Sequence, residues 1–322
     1  MTAARQTLNR LKLRAPTAWD TAFEEARYLA KDGRQSEAAK ILSEFPWPGD
    51  AGQKLAGVGR ALEAIGSADE AEKLYRTHAE TQKGPTAHVP LVQYLIRRGR
   101  SADAIAILNG LRSSAPVGST ARLYSMSIRS RAAVPVSPAD KPAWDKSVAE
   151  IEAWVADKLK ESPKSEDLLA ASAELADARG NYDAAIDFYR RAAESSTPET
   201  RGIQLNNLAV LLALHKKDGG ESTLKLIDEA IALRGPYPSL LDTRAMIRIA
   251  AGDYHEALRD LEAASGADPR PVFQYHLALS YHKLGNAASR TAALAEAKKR
   301  GLTAANLHPL EWEEYRKLLE AK

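Results

Sequence analysis

The feature that most constrains this 322-residue chain is a small residue that returns at nearly constant spacing in its second half. Ala173, Ala209, Ala245 and Ala278 are separated by 36, 36 and 33 residues, and each lies in a similar frame of apolar side chains. A period of this length is typical of arrays in which each repeat is one supersecondary unit. Such units bury their apolar faces against their neighbours instead of around one central core.

The residue types in the frame predict paired helices. Alanine where two helices cross, as at Ala245 and Ala257, lets the backbones approach, and a larger residue would cost about 1 to 3 kcal/mol by overpacking. Glycine can end a helix in the left-handed conformation, and Gly180, Gly252 and Gly285 follow the first helices. Proline is tolerated between helices, where no amide hydrogen is needed. The prolines that separate repeats are Pro198, Pro236, Pro238, Pro269 and Pro271.

Residues 165–302 resemble tetratricopeptide repeats. The runs NNLAVLLAL, LLDTRAMIRIAAGDYHEALRDLEAA and YHLALSYHKLGN are similar to the C-terminal repeats of large bacterial proteins of this family, and LHPLEWEEY is similar to their closing helix. The resemblance implies an all-α, right-handed superhelical solenoid of about eight helix-turn-helix repeats with a C-terminal capping helix. It also implies an interaction scaffold, in a family whose arrays are often fused to signalling enzymes.

The repeat pattern divides the chain into five segments, and the pattern is least regular in the middle of the chain. There, residues near Arg131 are followed by AAVPVSPADKP, which predicts a long internal loop. Pro90 lies inside the first helix of the third unit and predicts that this helix is short or kinked. The segments are an N-terminal flanking helix at 1–15, looser repeats at 16–114, an irregular repeat at 115–164, regular repeats at 165–302 and a capping helix at 303–322.

Composition and motifs favour a protein without catalytic activity. The chain has no cysteine, and its 45 basic residues are nearly balanced by 42 acidic ones. The phosphate-binding, serine-hydrolase and zinc-protease motifs are missing. Gly57-Val58-Gly59 is similar to the start of a dinucleotide-binding loop, but it lies in a helical repeat with no strand before it. We therefore expect no enzyme and no cofactor.

Two histidines were considered as metal ligands. His276 and His282 are six residues apart, which places them about 240° apart around a helix. We expect both to be groove or surface residues and predict no metal site.

In tetratricopeptide repeats the first helix of each pair lines an inner, concave groove, and the resemblance therefore implies candidate binding residues. The alternative is that these side chains pack on a neighbouring helix or on the closing helix, since an apolar helical stripe is usually core. The candidates are Asn206, Val210, Leu214, Asp242, Met246, Ile249, Tyr275, Leu279 and His282.

The middle of the chain predicts a basic patch. From Gly84 to Ala139 there are seven arginines and one acidic residue, Asp103. A positive surface would attract an acidic or phosphorylated protein segment. The alternative is a solvated face with no ligand. The patch comprises Arg60, Arg97, Arg98, Arg100 and Arg131.

These observations predict a non-enzymatic scaffold that binds a protein or peptide segment in the concave groove. The alternatives are a peptide-sensing regulatory module and a helical-repeat nucleic-acid binder, and the near-neutral charge balance does not favour the second. No apolar run approaches the roughly 18 residues that span a bilayer, and the first 16 residues lack the apolar core of a secretory signal. We therefore expect a cytoplasmic protein without a membrane partner.

Overall fold

The computed structural model describes residues 2–15, 17–47, 51–132, 137, 139–215 and 220–320. Within them, all regular structure is helical: eighteen α-helices and three short 3₁₀ turns. The predicted all-α fold is confirmed, and the number of repeats stays a prediction. The chain forms two compact units, Met1–Ala115 and Pro116–Lys322. The predicted bounds of the five sequence segments stay predictions.

Six of the seven helices in the described residues of the first unit pack as consecutive pairs. The helices are α1 (Thr2–Arg14), α2 (Trp19–Lys31), α3 (Gln35–Ser43), α4 (Ala51–Ala64), α5 (Ala68–Thr81), α6 (Val89–Arg97) and α7 (Ser101–Leu111), with a 3₁₀ turn at Pro85–His88. The pairs are α2 with α3, α4 with α5, and α6 with α7; α1 packs on α2, and α5 also contacts α6.

Pro90 lies in the first turn of α6, directly after the 3₁₀ turn. Its missing amide hydrogen costs nothing there, because the first amides of a helix have no partner within the helix. The nine residues of α6 make it short, as predicted. The proline begins the helix instead of kinking it.

The second unit contains the regular repeats. Its helices are α8 (Val117–Ala132), α9 (Lys141–Glu161), α10 (Glu166–Ala178), α11 (Tyr182–Ser195), α12 (Pro198–His215), α13 (Glu221–Arg234), α14 (Pro238–Ala251), α15 (Tyr254–Ala267), α16 (Pro271–Lys283), α17 (Ala287–Lys299) and α18 (Trp312–Glu320). Two 3₁₀ turns, Ala304–Asn306 and Pro309–Glu311, precede α18. The predicted internal loop falls partly on 133–136 and 138, outside the described residues.

The core of the second unit follows the predicted crossing points. Ala173, Ala209, Ala245 and Ala278 are completely buried. Ala245 shares one apolar cluster with Ala257 from the helix that follows it. Gly252 ends α14 with a φ of 87°, the left-handed conformation that favours glycine. Helix-turn-helix pairs therefore form where the alanine and glycine spacing predicts them.

First helices also contact first helices of neighbouring pairs. α8 packs on α10, α12 on α14, and α14 on α16. Corresponding positions of consecutive first helices therefore face one another. This geometry places side chains about one repeat apart in sequence side by side.

We call residues 303–320 the C-terminal segment. It does more than cover the last helix pair. Leu307, Tyr315 and Leu318 are buried in one cluster with Ala245 of α14 and Tyr275 of α16. The turn at Pro309–Glu311 also contacts α12. The segment therefore packs across the first helices of three pairs.

Candidate functional site

The ends of α12, α14 and α16 form a surface that we call the groove, and the C-terminal segment covers part of it. Between them lies a cavity of about 250 Å³. The lining is mostly apolar, with a few polar groups, as is common in binding sites. Its residues are Ala213, Leu214, Met246, Ile249, Ala250, Tyr254, Tyr275, His276, Leu279, Lys283, Leu310, Glu311 and Glu314.

Five of the nine predicted groove residues line this cavity together: Leu214, Met246, Ile249, Tyr275 and Leu279. Asn206, Val210, Asp242 and His282 do not line it. Met246 and Ile249 are half-buried. Part of this surface therefore contacts the closing segment, which is the alternative stated for the predicted groove residues.

Tyr275 is completely buried and does not offer the free groove surface that the sequence predicts. Its ring packs edge-on against Tyr315 of the C-terminal segment, with centroids 5.5 Å apart. Its hydroxyl has no hydrogen-bond partner among the described residues. Burial raises the pKa of this hydroxyl, and the nearby carboxylate of Glu311 raises it further. The hydroxyl therefore stays protonated at neutral pH.

A buried charge cluster joins the C-terminal segment to the groove. His276 Nδ1 lies 2.6 Å from Asp242 Oδ1, and His276 Nε2 lies 2.7 Å from Glu311 Oε1. The three side chains are 3%, 11% and 8% exposed. A carboxylate accepts but does not donate, so both ring nitrogens carry protons and the ring is cationic. His276 lines the groove cavity, one of the two positions expected from the sequence, but it is almost completely buried there instead of open to solvent.

The ionisation of the cluster follows from its geometry. Burial by itself lowers the pKa of His276, but the charges and hydrogen bonds of Asp242 and Glu311 outweigh burial and raise it to about 10. Burial tends to raise the pKa of Glu311, yet the hydrogen bond from His276 and its charge hold that pKa below the ordinary value. His276 and Glu311 therefore stabilise each other in their ionised forms.

Two further contacts hold the segment outside this cluster. His308 Nδ1 accepts a hydrogen bond from the amide of Leu310, so the ring proton lies on Nε2, which donates to Asp177 Oδ1 at 2.8 Å. Lys283 Nζ donates to Glu314 Oε1 at 2.5 Å. The segment is thus bound to the end of α10 and to two positions on α16.

The geometry of the cluster does not suit metal coordination. The two carboxylates approach opposite nitrogens of one ring, so the three side chains do not converge on a common point. Across the part of the chain that the structure describes, no group of three or more histidine, aspartate or glutamate side chains could hold a metal ion.

The structure divides the predicted basic patch. Arg97 is paired with Glu63 at 2.6 Å, and Arg100 with Glu72 at 2.6 Å. Arg60 and Arg98 are exposed on the same unit. Counting charges over a contiguous stretch omitted these glutamates, which come from the preceding helix pair. Arg131 belongs to the second unit, where its guanidinium lies 5.3 Å from the Trp144 ring. The patch stays a prediction, with less positive charge than the count suggested.

The two glycines of Gly57-Val58-Gly59 serve packing. A Cβ at Gly57 would lie 2.5 Å from the Trp47 ring, and one at Gly59 would lie 2.3 Å from the Tyr75 hydroxyl. The motif lies within α4. Close approach of aromatic rings to the helix explains both glycines without a nucleotide.

The sequence signal for the buried cluster was present. Asp242, His276 and Glu311 are 34 and 35 residues apart, close to one repeat. Because corresponding positions of consecutive first helices face one another, ionisable residues at this spacing become neighbours. Comparing histidines only within one helix missed this relation.

Known proteins show the same architecture. The tetratricopeptide repeat family model matches residues 243–303. Residues 243–303 therefore belong to the tetratricopeptide repeat family. The predicted family is confirmed for these residues, and the match runs from within α14 to just beyond the end of α17. Met246 and His276 lie within it, and Asp242 directly precedes it.

One solved structure shares the fold over residues beyond the family match. The APC/C hetero-tetramer Cut9–Hcn1 is similar with a TM-score of 0.53 and 15% identity, over 94% of this chain and 59% of that one. A tetratricopeptide repeat protein from Parabacteroides merdae has a TM-score of 0.48 and 15% identity, over 87% of this chain and 98% of that one. At this identity the first similarity shows the fold alone. No curated protein matches the sequence.

None of the helices in the described residues is both long and apolar enough to cross a membrane.

Proposed function

We propose that this chain is a protein-interaction scaffold and that the groove binds a segment of a partner protein. One observation carries the proposal: the groove already holds a peptide segment, the chain's own residues 308–315. Leu310 of this segment lines the cavity and Glu311 reaches the buried cation of His276. A surface that binds one peptide segment in this way has the chemistry to bind another.

The surroundings of the groove suit this role. Its walls are consecutive first helices, whose mutual packing holds the surface in place before a partner arrives. A preformed surface lowers the ordering cost of association. Met246 is an unbranched, adaptable side chain that fits varied apolar partners.

The other functions that the sequence left open gain less support. Nucleic-acid binding through the arginines is weakened because Glu63 and Glu72 pair with two of them. No geometric observation favours a small-peptide sensor over a scaffold.

The test places a charge in the groove. Met246→Glu adds a carboxylate to the half-buried cavity wall, whereas Ala263→Glu adds the same charge at an exposed position of α15. Each chain is used as bait for affinity capture, and circular dichroism establishes that both remain folded. We expect partners that wild type and Ala263→Glu retain and Met246→Glu loses. Equal capture by all three chains would remove the groove assignment.

A further inference from the structure

We propose that the C-terminal segment is an internal ligand that competes with the partner, and that the partner segment is acidic and presents the same groups to the groove. These groups are an apolar side chain, a carboxylate directly after it and a second carboxylate three residues later. The inference rests on the proposed function and names the partner's chemistry.

The first step is the match between the segment and the groove. Leu310 lines the cavity, the next residue reaches His276, and Glu314 reaches Lys283. In the spacing Leu-Glu-x-x-Glu, Leu310 therefore faces the same cavity as the apolar side chains of the groove, and the two carboxylates pair with two cations. Charge complementarity of this kind selects an acidic segment over a basic one.

The second step is the state that the groove reaches when the segment leaves. Asp242 lies on the Nδ1 side of His276, so Glu311 is the only acceptor that the structure gives to Nε2 within the described residues. When the segment leaves, Nε2 of His276 faces water in place of a carboxylate, because the segment is what covers this ring. An incoming carboxylate at the same place restores a charge-assisted hydrogen bond to the cation.

The third step concerns how readily the segment leaves. α18 has nine residues, fewer than the roughly 12 to 15 that an isolated helix needs in water. Its helical state therefore depends on docking against the groove. A tethered segment acts at an effective concentration in the millimolar range. A partner binds only those molecules whose segment has left the groove, so its apparent affinity falls in proportion to that fraction.

The experiment uses the full chain and a fluorescein-labelled synthetic peptide of residues 303–320, followed by fluorescence polarisation. Glu311→Gln weakens the internal segment. Glu313→Gln is the matched control, because Glu313 is exposed and pairs with Lys317 on the same helix. We expect the Glu311→Gln chain to bind the peptide on the order of tenfold more tightly than wild type. Glu313→Gln is expected to match wild type.

The peptide itself is varied to test the chemistry. A peptide with glutamine at positions 311 and 314 should bind the Glu311→Gln chain at least about tenfold more weakly than the native peptide. Equal binding of the two peptides, or equal binding of the native peptide by all three chains, would overturn the proposal. If wild type forms a dimer that the peptide dissociates, the groove is occupied by a second copy of this chain. That result would overturn the proposal of a separate partner protein.

A second measurement covers the case in which Glu311→Gln fails to fold. The chain has no cysteine, so Lys283→Cys with Glu314→Cys can be linked selectively by a short bismaleimide. The linked chain should bind the peptide on the order of tenfold more weakly than the same chain unlinked, because the segment can no longer leave. Equal affinities would overturn the proposal. If captured partners are lost with Met246→Glu but the peptide binds none of the chains, the proposed scaffold function stands. Only the inference about the C-terminal segment would then be removed.

Discussion

The two units use the same repeat spacing to place opposite charges together, with different results. In the first unit Glu63 and Arg97 are 34 residues apart and pair with side chains 18% and 29% exposed. In the second unit Asp242 and His276 are also 34 apart, but their side chains are 11% and 3% exposed. The C-terminal segment makes the difference, because it covers the second pair and inserts Glu311. Repeat geometry thus brings charges together, and a covering segment decides whether they are buried.

The largest expected effect comes from removing the central cation of the buried cluster. His276→Gln leaves two buried carboxylates without their charged partner and should lower the free energy of unfolding of the second unit by about 3 to 5 kcal/mol. Arg97→Gln removes a partly hydrated charge and should cost no more than about 1 kcal/mol. Urea denaturation of the full chains, with hydrogen exchange of α16 and α6 amides, measures both. Similar losses would contradict the contrast between the units.

The ionisation of His276 should make the stability of the second unit depend on pH. His276 has a folded pKa of about 10, above its ordinary 6.5, so its stabilisation is complete below pH 6.5 and is lost as the pH rises toward 10. In that range the folded state holds one proton more, which corresponds to about 1.4 kcal/mol per pH unit. The lowered pKa of Glu311 has the opposite sign: its stabilisation is present above about pH 4.5 and is lost as the pH falls through the folded pKa.

Stability against pH, measured for wild type and His276→Gln, isolates this contribution. The difference between the two curves should be largest between pH 4.5 and 6.5 and should shrink above pH 6.5. A difference that is constant from pH 6 to about pH 9 would show that His276 does not retain its proton in the folded state.

A second buried carboxylate offers a smaller effect. Asp260 is 7% exposed and accepts from Arg244 and Arg248, so Asp260→Asn should cost about 2 to 3 kcal/mol. In the first unit, Asp103 is half exposed and pairs with Arg100, so Asp103→Asn should cost less than about 0.5 kcal/mol. Thermal melting of the two variants compares them. A larger loss of stability from Asp103→Asn than from Asp260→Asn would contradict the expectation that the more buried carboxylate contributes more.

The smallest expected difference within a pair of variants comes from two helix glycines. A Cβ at Gly59 would meet the phenol of Tyr75, which is buried and bonded to Glu63, whereas a Cβ at Gly202 would meet the side-chain carbons of Arg234. The ring has little room to move, so Gly59→Ala should cost about 1 to 2 kcal/mol by overpacking. The arginine can turn aside, so Gly202→Ala should cost less than about 1 kcal/mol. Equal melting temperatures would show that Tyr75 can shift.

Much of the local structure could be predicted because it depends on short-range properties. Ala245 at a crossing point and Gly252 at a helix end each satisfy a steric condition that the residue type alone reveals. Met246, Ile249 and Leu279 were expected on one surface because the resemblance to tetratricopeptide repeats places one side of each first helix in the groove, and all three line one cavity. Tyr275 obeys the same period, but only the path of the C-terminal segment shows that it is buried.

The sequence by itself determined the helix pairs and the positions of the crossing alanines, since these follow from helical periodicity and side-chain size. The surface shared by α12, α14 and α16 was implied by the resemblance to tetratricopeptide repeats. Only the tertiary structure decided that residues 303–320 return over that surface, that His276 is buried and charged, and that glutamates of one pair neutralise arginines of the next. Burial and charge depend on groups that are distant in sequence, and their positions are set by how the helices pack.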